Sequence, residues 1–174
     1  MAGAQVERRL MAVLAADVVG NGRLFVSDEG CTPAVWMAQW RELIDPRIVE
    51  YGGRVGRITG HPPLVEFKSA IAAVRCAVEV QRTMLKRDPG ALSKRHEFRV
   101  GINVGDVIAD GPDMWGIAVN IAMRLAALAK PGGICVSGRV REELGGKLDV
   151  GFADKGACKL KNIARPVRVF SILI

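Results

Sequence analysis

The sequence predicts an α+β domain built on a ferredoxin-like βαββαβ core, with additional α and β elements after it. Apolar, β-branched runs alternate with segments whose apolar residues recur at helical spacing. Two strand-like runs, 54–59 and 64–67, follow one another with no helix between them, which gives the split βαβ order. This order predicts an antiparallel sheet with its helices on one face.

Each element of the first half has a local signal. Short apolar runs predict strands, and longer amphipathic runs predict helices. Pro46 is expected to divide the first helix, and Ser69 to cap the second. The predicted elements are a strand at 8–19, a helix at 32–51, strands at 54–59 and 64–67, and a helix at 69–87.

The second half continues with a loop and then five or more elements. Glycines inside the run 97–110 predict two strands around a glycine turn. Pro131 and the two glycines after it are expected to end the long helix before them. The predicted elements are the strand pair at 97–110, a helix at 114–130, a strand at 133–137, a short helix at 138–147, and two or three strands in 148–174.

Composition bounds the class of protein. The chain has 174 residues, of which 49% are hydrophobic, so we expect one globular domain over 8–174 behind an N-terminal extension, 1–7. No apolar run reaches the roughly 18 residues that a membrane span needs. Asp17 interrupts the first apolar stretch, which we therefore interpret as a strand rather than a signal peptide.

The cysteines and the net charge narrow the function further. Four cysteines lie far apart with no CxxC pair, which argues against a zinc site and a disulfide framework and favours a cytoplasmic protein: Cys31, Cys76, Cys135 and Cys158. The net charge of +7 suits a polyanion such as a nucleotide, or a solvated basic surface. No basic run is interleaved with aromatic residues, so we expect no nucleic-acid binding.

Several stretches, taken in order, carry a family resemblance. They are "LAADVVG", "GGRVGRITG" followed by "LVEF", "AVRCAVEVQ", "FRVGINVGDVI", "WGIAVNIAMRLAALAKPGGICVS" and "LKNIARPVRVF". Together they resemble the catalytic domain of bacterial class III adenylate/guanylate cyclases over about residues 8–172. The resemblance implies the nucleotide cyclase fold and a role in signal transduction. It also implies conversion of ATP to cAMP and pyrophosphate between two protomers paired head to tail.

The metal-binding half of the site is altered relative to that family. The resemblance assigns Asp17 to the first of two aspartates that hold two Mg²⁺ or Mn²⁺ ions, with a strand-end aspartate that caps the next turn as the alternative. It assigns phosphate binding to the backbone that follows, at Val18, Val19, Gly20, Asn21 and Gly22. The second aspartate is expected in a Thr-Gly-Asp-Gly turn, where this chain has His61 and Pro62.

This replacement has two physical consequences. A neutral imidazole supplies no negative charge and suits zinc or copper better than magnesium. Pro62 lacks an N–H and fixes its φ at about −65°, so we expect the turn to differ in backbone shape as well as in charge. His61 is either a contact of metal or phosphate or an exposed turn histidine without a ligand.

The nucleotide-reading half is better kept. The resemblance implies that Arg57, which replaces a lysine, and Asp113 read the purine, which as a donor and an acceptor favours adenine. It implies that Asn120 positions the ribose and Arg124 neutralises the transition state, and their i, i+4 spacing places both on one helix face. Lys161 is the nearest candidate for a phosphate contact. Arg57 and Lys161 could equally be surface residues.

Three functions fit this pattern. The domain is a nearly inactive pseudoenzyme that still dimerises or binds ATP, or the partner half of a heterodimer with a protomer that keeps both aspartates. The alternative is a fully active adenylate cyclase whose altered, manganese-preferring site uses His61 or the neighbouring Glu66.

Overall fold

The structure is a computed structural model that describes residues 6–19, 38, 40–56, 63–86 and 97–174. These residues form a mixed α+β fold, and among them are eight strands in one sheet and four α-helices. The strands are β1 (Glu7–Val18), β2 (Arg54–Gly56), β3 (Leu64–Phe67), β4 (Phe98–Asp110), β5 (Asp113–Trp115), β6 (Ile134–Ser137), β7 (Gly151–Cys158) and β8 (Val167–Leu173). The helices are α1 (Asp45–Glu50), α2 (Ala70–Lys86), α3 (Ile117–Leu128) and α4 (Gly138–Leu144).

The strand order confirms the βαββαβ core. The sheet runs β2-β3-β1-β4-β6-β8-β7, and β5 pairs with β4 outside this path. The four core strands therefore lie in the order β2-β3-β1-β4, all antiparallel to their neighbours. The extension adds one parallel pair, β4 with β6, and a final antiparallel hairpin of β7 and β8.

The expectation of helices on one face was wrong for the sheet as a whole, although it holds for the βαββαβ core, whose helices α1 and α2 pack in one cluster. Alternate residues of β1 belong to two separate cores, with Leu14 in the core under α2 and Val13 in the core under α3. The first core also receives Trp40 and α4, and the second is built on small α3 residues such as Ala122. Since α3 covers the opposite face from α2, the central strands β1 and β4 are buried on both sides.

The glycine turn expected inside 97–110 was also wrong. Those residues form a single strand, β4, which pairs with β1 along twelve residues. A Cβ at Gly101 would overlap the main chain of α3, and one at Gly105 would lie 2.7 Å from the Cβ of Ala118. The glycines therefore allow α3 to lie close to β4, and Asp106 lies in the strand rather than in a turn.

The remaining boundaries differ by smaller amounts. The chain enters α1 through a π-helical turn, Trp40–Ile44, and Pro46 lies in the first turn of α1, which agrees with a helix divided there. The Ser69 Oγ accepts the Ala72 N–H at 3.3 Å at the start of α2. Met114 and its successor belong to β5, so α3 begins three residues later than predicted.

Strand β7 is a border of the sheet, and its pairing with β8 shifts register between Asp154 and Ala157, where Gly156 has a φ of +75°.

Among the described residues no helix is long and apolar enough to cross a membrane. Three described cysteines are free thiols, of which Cys76 and Cys135 are buried.

Candidate functional site

Asp17 lies at the end of β1 on the face covered by α3. It is half-buried and stands directly opposite Arg99 of β4. Because side chains alternate along a strand, Asp17 shares its face with Val13 and Ala15, which belong to the α3 core. The sequence therefore places one carboxylate at a strand end, open to a cation from the end of the sheet.

The backbone after Asp17 is only partly free for a phosphate. Val18 is the last residue of β1 and pairs with Phe98, and the Val19 N–H donates to the Glu97 carbonyl at 2.9 Å. These two positions are committed to the sheet, so phosphate binding by this loop would depend on the backbone that follows. The other three loop positions, Gly20, Asn21 and Gly22, lie outside the described residues.

The two strands that flank His61 in the sequence, β2 and β3, have their facing ends beside the Asp17 end of β1. Both His61 and Arg57 lie outside the described residues, but the strands that lead to them are in place. Leu64 at the start of β3 pairs with Ala15 of β1, and the Ala16 N–H donates to the Pro63 carbonyl at 3.4 Å. The β2–β3 connection therefore leaves the sheet at the same end as Asp17.

Glu66 does not lie with Asp17, contrary to one of the expectations for an altered metal site. It pairs with Val13, four residues before Asp17 on β1, which corresponds to about 13 Å along the strand. The Glu66 side chain is 2% exposed and accepts hydrogen bonds from Arg9 and Arg54. Within the described part of the chain, no three His, Cys, Asp or Glu residues form a group that could hold a metal ion.

The β4–β5 hairpin brings Asp113 next to the end of β2. Asp113 is half-buried and forms the first pair of this hairpin with Asp110. A Cβ at Gly56 would collide with the Met114 side chain and lie 3.2 Å from the Pro112 carbonyl oxygen. Gly56, the last described residue before Arg57, therefore lies against the residues on both sides of Asp113.

Asn120 and Arg124 lie on the outward side of α3. Its inward side is buried against the sheet by Ala118, Val119, Ala122, Leu125 and Ala126. On the opposite side, Asn120 is exposed and Arg124 half-buried, and they are flanked by Ile117 and Leu128, which are 70% and 50% exposed. The two polar side chains therefore point away from the sheet on which Asp17 lies, and one protomer does not bring them together with it.

The turn between β7 and β8 places Lys161 near α3. Lys161 is exposed, and the preceding Leu160 is buried with Leu125 in a third core cluster. The Ile163 N–H closes the turn on the Leu160 carbonyl at 3.1 Å. The packing of Leu160 thus fixes this turn beside the helix that carries Arg124, with the lysine free to reach a ligand.

The sequence interpretation missed the role of Arg9 and Arg54. Both arginines bind the buried Glu66, and Arg54 also binds the Gly111 carbonyl at 3.1 Å. A charge at an inward position of an apolar strand needs a partner, so Arg9 and Glu66 in adjacent strand-like runs were a usable signal. The sequence offers no local signal for the contact with Gly111.

A split βαβ core followed by a βαβαββ extension is the fold that this chain shares with solved nucleotide cyclase catalytic domains. The family model for the adenylate and guanylate cyclase catalytic domain matches residues 55–173. The chain therefore belongs to that family.

Individual relatives agree with this assignment. A protein of Rhizobium meliloti named "Putative adenylate cyclase 3" is 41% identical over 98% of this chain, which spans 29% of that protein's length. The crystal structure of an adenylate/guanylate cyclase/hydrolase from Silicibacter pomeroyi is also 41% identical, with a TM-score of 0.89 over 98% of this chain and 99% of that one. The adenylyl cyclase CyaB of P. aeruginosa shares the fold at 22% identity, with a TM-score of 0.82 over 98% and 96% of the two chains.

Proposed function

We propose that the domain belongs to an adenylate cyclase site formed between two protomers, in which this chain supplies mainly the nucleotide-reading half. The observation that carries the proposal is the outward position of Asn120 and Arg124 on α3, on the far side of the helix from Asp17. Residues placed in this way can meet the metal-binding end of a second protomer paired head to tail. Exposed Ile117 and Leu128 beside them suit burial in such a contact.

The reaction is the closure of ATP to cAMP. A bond forms between the ribose 3′-oxygen and the α-phosphorus, the bond from that phosphorus to pyrophosphate breaks, and the 3′-hydroxyl proton passes to solvent water. Arg124 is placed to neutralise charge on the α-phosphate, and Asn120 to orient the ribose. Arg57 and Asp113 would hold the adenine edge, and Lys161 would contact the phosphates.

The metal half is the weak part of this site. Two divalent cations, Mg²⁺ or Mn²⁺, would supply charge neutralisation at the triphosphate and favour loss of the 3′-proton. Asp17 is the one carboxylate that the family resemblance assigns to metal at this end of the sheet, and His61 stands at the sequence position of the other. The homodimer is therefore expected to have low or no activity, and full activity is expected with a protomer that keeps both aspartates.

The first experiment measures cAMP formed from ATP with Mg²⁺ and with Mn²⁺. The wild-type chain should make little cAMP, and the double substitution H61D/P62G should raise the rate by several powers of ten if the turn is the main defect. Strong turnover by the wild type with Mn²⁺ would instead favour the second candidate, an active enzyme with an altered metal site in which His61 would serve as a ligand.

The second experiment tests the two-protomer site. In the H61D/P62G background, D17A and R124A should each abolish activity, and mixing the two inactive proteins should restore it. Random exchange gives about half heterodimers, each with one intact site of two, so about a quarter of the activity should return. Mixtures that stay inactive, although size exclusion shows exchange between protomers, would contradict a shared site.

The third experiment tests the heterodimer. The wild-type chain is mixed with a homologous cyclase that keeps both metal aspartates but carries Ala at the position of Arg124. Activity in the mixture, absent from either protein alone, supports a partner role for this chain. The matched control replaces this chain with its R124A variant, which should not rescue the homologue. If this chain binds ATP but does not restore activity to the homologue, the pseudoenzyme hypothesis would be favoured.

A further inference from the structure

Glu66 is a buried carboxylate at the centre of an ion cluster that joins three strands. Its side chain is 2% exposed, and its Oε1 accepts hydrogen bonds from the Arg9 Nη2 at 3.2 Å and the Arg54 Nε at 2.5 Å. Its Oε2 is also buried and has no hydrogen-bond partner among the described residues. A buried charge is costly unless it is neutralised, so two arginines hold this carboxylate in one position.

Arg54 also makes a contact outside the ion cluster, with the β4–β5 hairpin. Its Nη1 donates to the Gly111 carbonyl at 3.1 Å, in the turn between β4 and β5. Strand β2, which carries Arg54, is separated from β4 by β3 and β1 in the strand order. The β4–β5 hairpin must therefore fold over the face of the sheet to be reached, and Arg54 joins two elements that no strand pairing connects.

A second, independent contact links the same two elements. Gly56 at the end of β2 lies against the Met114 side chain and the Pro112 carbonyl. Together, Arg54 and Gly56 touch the hairpin before and after Asp113. The spacing between Asp113 and the end of β2, where Arg57 follows, is thus set by these contacts.

We propose that Arg54, held by Glu66, is a positioning residue that sets the place of Asp113 for recognition of the adenine 6-amino group. This inference rests on the proposed function, in which Asp113 accepts from that amino group. A guanidinium suits the task because its planar fork donates in two fixed directions, to Glu66 and to Gly111. The compact ammonium of a lysine is not matched to both acceptors in this way, so Arg54→Lys should preserve only part of the effect.

The test compares binding of ATP and of purine riboside 5′-triphosphate, which lacks only the 6-amino group, by titration calorimetry with Mg²⁺. The wild-type chain should prefer ATP by about tenfold, the worth of one hydrogen bond to a charged acceptor. Asp113→Asn and Arg54→Ala should each remove most of that preference, and the double variant should lose no more than Asp113→Asn alone. Arg54→Lys should be intermediate.

The matched control is Arg47→Ala. Arg47 is exposed to a similar degree and also binds two acceptors, Glu50 and Glu79, but it lies in α1. Its loss should affect stability without changing the ratio of the two affinities. If Arg54→Ala does not fold, Glu66→Gln keeps the volume and removes the charge, and it should reduce the preference in the same direction.

The outcomes distinguish a failure of the proposed function from a failure of the role inferred for Arg54. A wild-type chain without any preference for ATP would refute the proposed function and this inference with it. A wild-type preference that Asp113→Asn removes and Arg54→Ala leaves intact would refute the inference alone. Arg54→Ala weakening both nucleotides equally would also refute it, because the residue would then only stabilise the fold.

Discussion

The close approach of α3 to β4 gives a prediction with a magnitude. At Gly101 an added Cβ would overlap the Ala122 carbonyl oxygen and the Ala126 nitrogen, and would lie 2.9 Å from the Leu125 carbonyl carbon. Ordinary contacts between carbon atoms are at about 3.5–4.0 Å, so α3 would have to move outward by roughly 1 Å. These obstacles are main-chain atoms, which cannot rotate away as a side chain can.

The expected cost of Gly101→Ala follows from this geometry. Overpacking a close-packed interior typically costs about 1–3 kcal/mol, and a clash with a helix backbone belongs at the upper end, about 3 kcal/mol. For a domain of this size, that corresponds to a decrease in Tm of roughly 6–12 °C. Urea denaturation gives the change in the free energy of unfolding, and a melt followed by circular dichroism gives the Tm.

Gly105→Ala provides the control for this reasoning. There the added Cβ meets the Cβ of Ala118 at 2.7 Å, which is a side chain that can be removed. Ala118→Gly should therefore recover part of the loss in the double variant, less about 1 kcal/mol for a glycine inside a helix. A Gly101→Ala protein that melts within about 2 °C of the wild type would refute the argument, since α3 would then have room to spare.

Three further predictions concern single side chains. Gln81→Met removes two hydrogen bonds from the buried Gln81 amide to main-chain carbonyls that keep other donors, so unfolding by urea should show a loss of only about 1–2 kcal/mol, and a loss near zero would contradict the bonds. Burial raises the pKa of the Cys76 thiol to about 12 from its ordinary value of 9.0, so its contribution to stability is full below pH 9.0 and is lost progressively as the pH rises from 9.0 to about 12. Iodoacetamide at neutral pH should also modify Cys158 well before Cys76. Mass spectrometry of the digested protein measures the order, and modification of Cys76 first would contradict its burial. The hydrogen bond from Arg168 lowers the pKa of Asp154 below its ordinary 3.8. Asp154→Asn should therefore lower the Tm at neutral pH, and this effect should shrink as the pH falls into the acid range. An effect that grows in acid would contradict the ion pair between Asp154 and Arg168.

Local signals were enough to predict most of the strands and helices. The run at Leu64–Phe67 is apolar and short, and it is a strand with the predicted bounds. Helix α2 has its apolar residues at helical spacing and a serine before it, and its ends lie within a residue of the prediction. In both segments, the order of apolar and polar residues within the segment is enough to predict which element forms.

The errors came from residues whose role depends on a distant element. Gly101 and Gly105 were interpreted as a turn because glycine permits one, whereas they serve the packing of a helix that begins more than ten residues later. The same glycines leave room for the α3 backbone on their face of the sheet. A single sequence does not indicate whether a missing Cβ accommodates a turn or a neighbouring backbone.

The candidate site divides in the same way. The positions of Asp17, Asn120 and Arg124 were available from the family resemblance, and their spacing along the chain placed them on a strand end and one helix face. Their separation by the body of α3 required the fold. The contact of Arg54 with Gly111 depends on the β4–β5 hairpin folding over the sheet, and no local pattern in either segment encodes it.

The register shift in β7 limits how copies of this chain can associate. An unpaired border strand invites another strand to add to it, but a bulge at Asp154 and Ala157 twists this border and interrupts its row of main-chain donors and acceptors. Lys155 adds a charge at the same place. Continuous strand addition from one molecule to the next is therefore disfavoured along this border, and self-association is directed toward surfaces built from side chains.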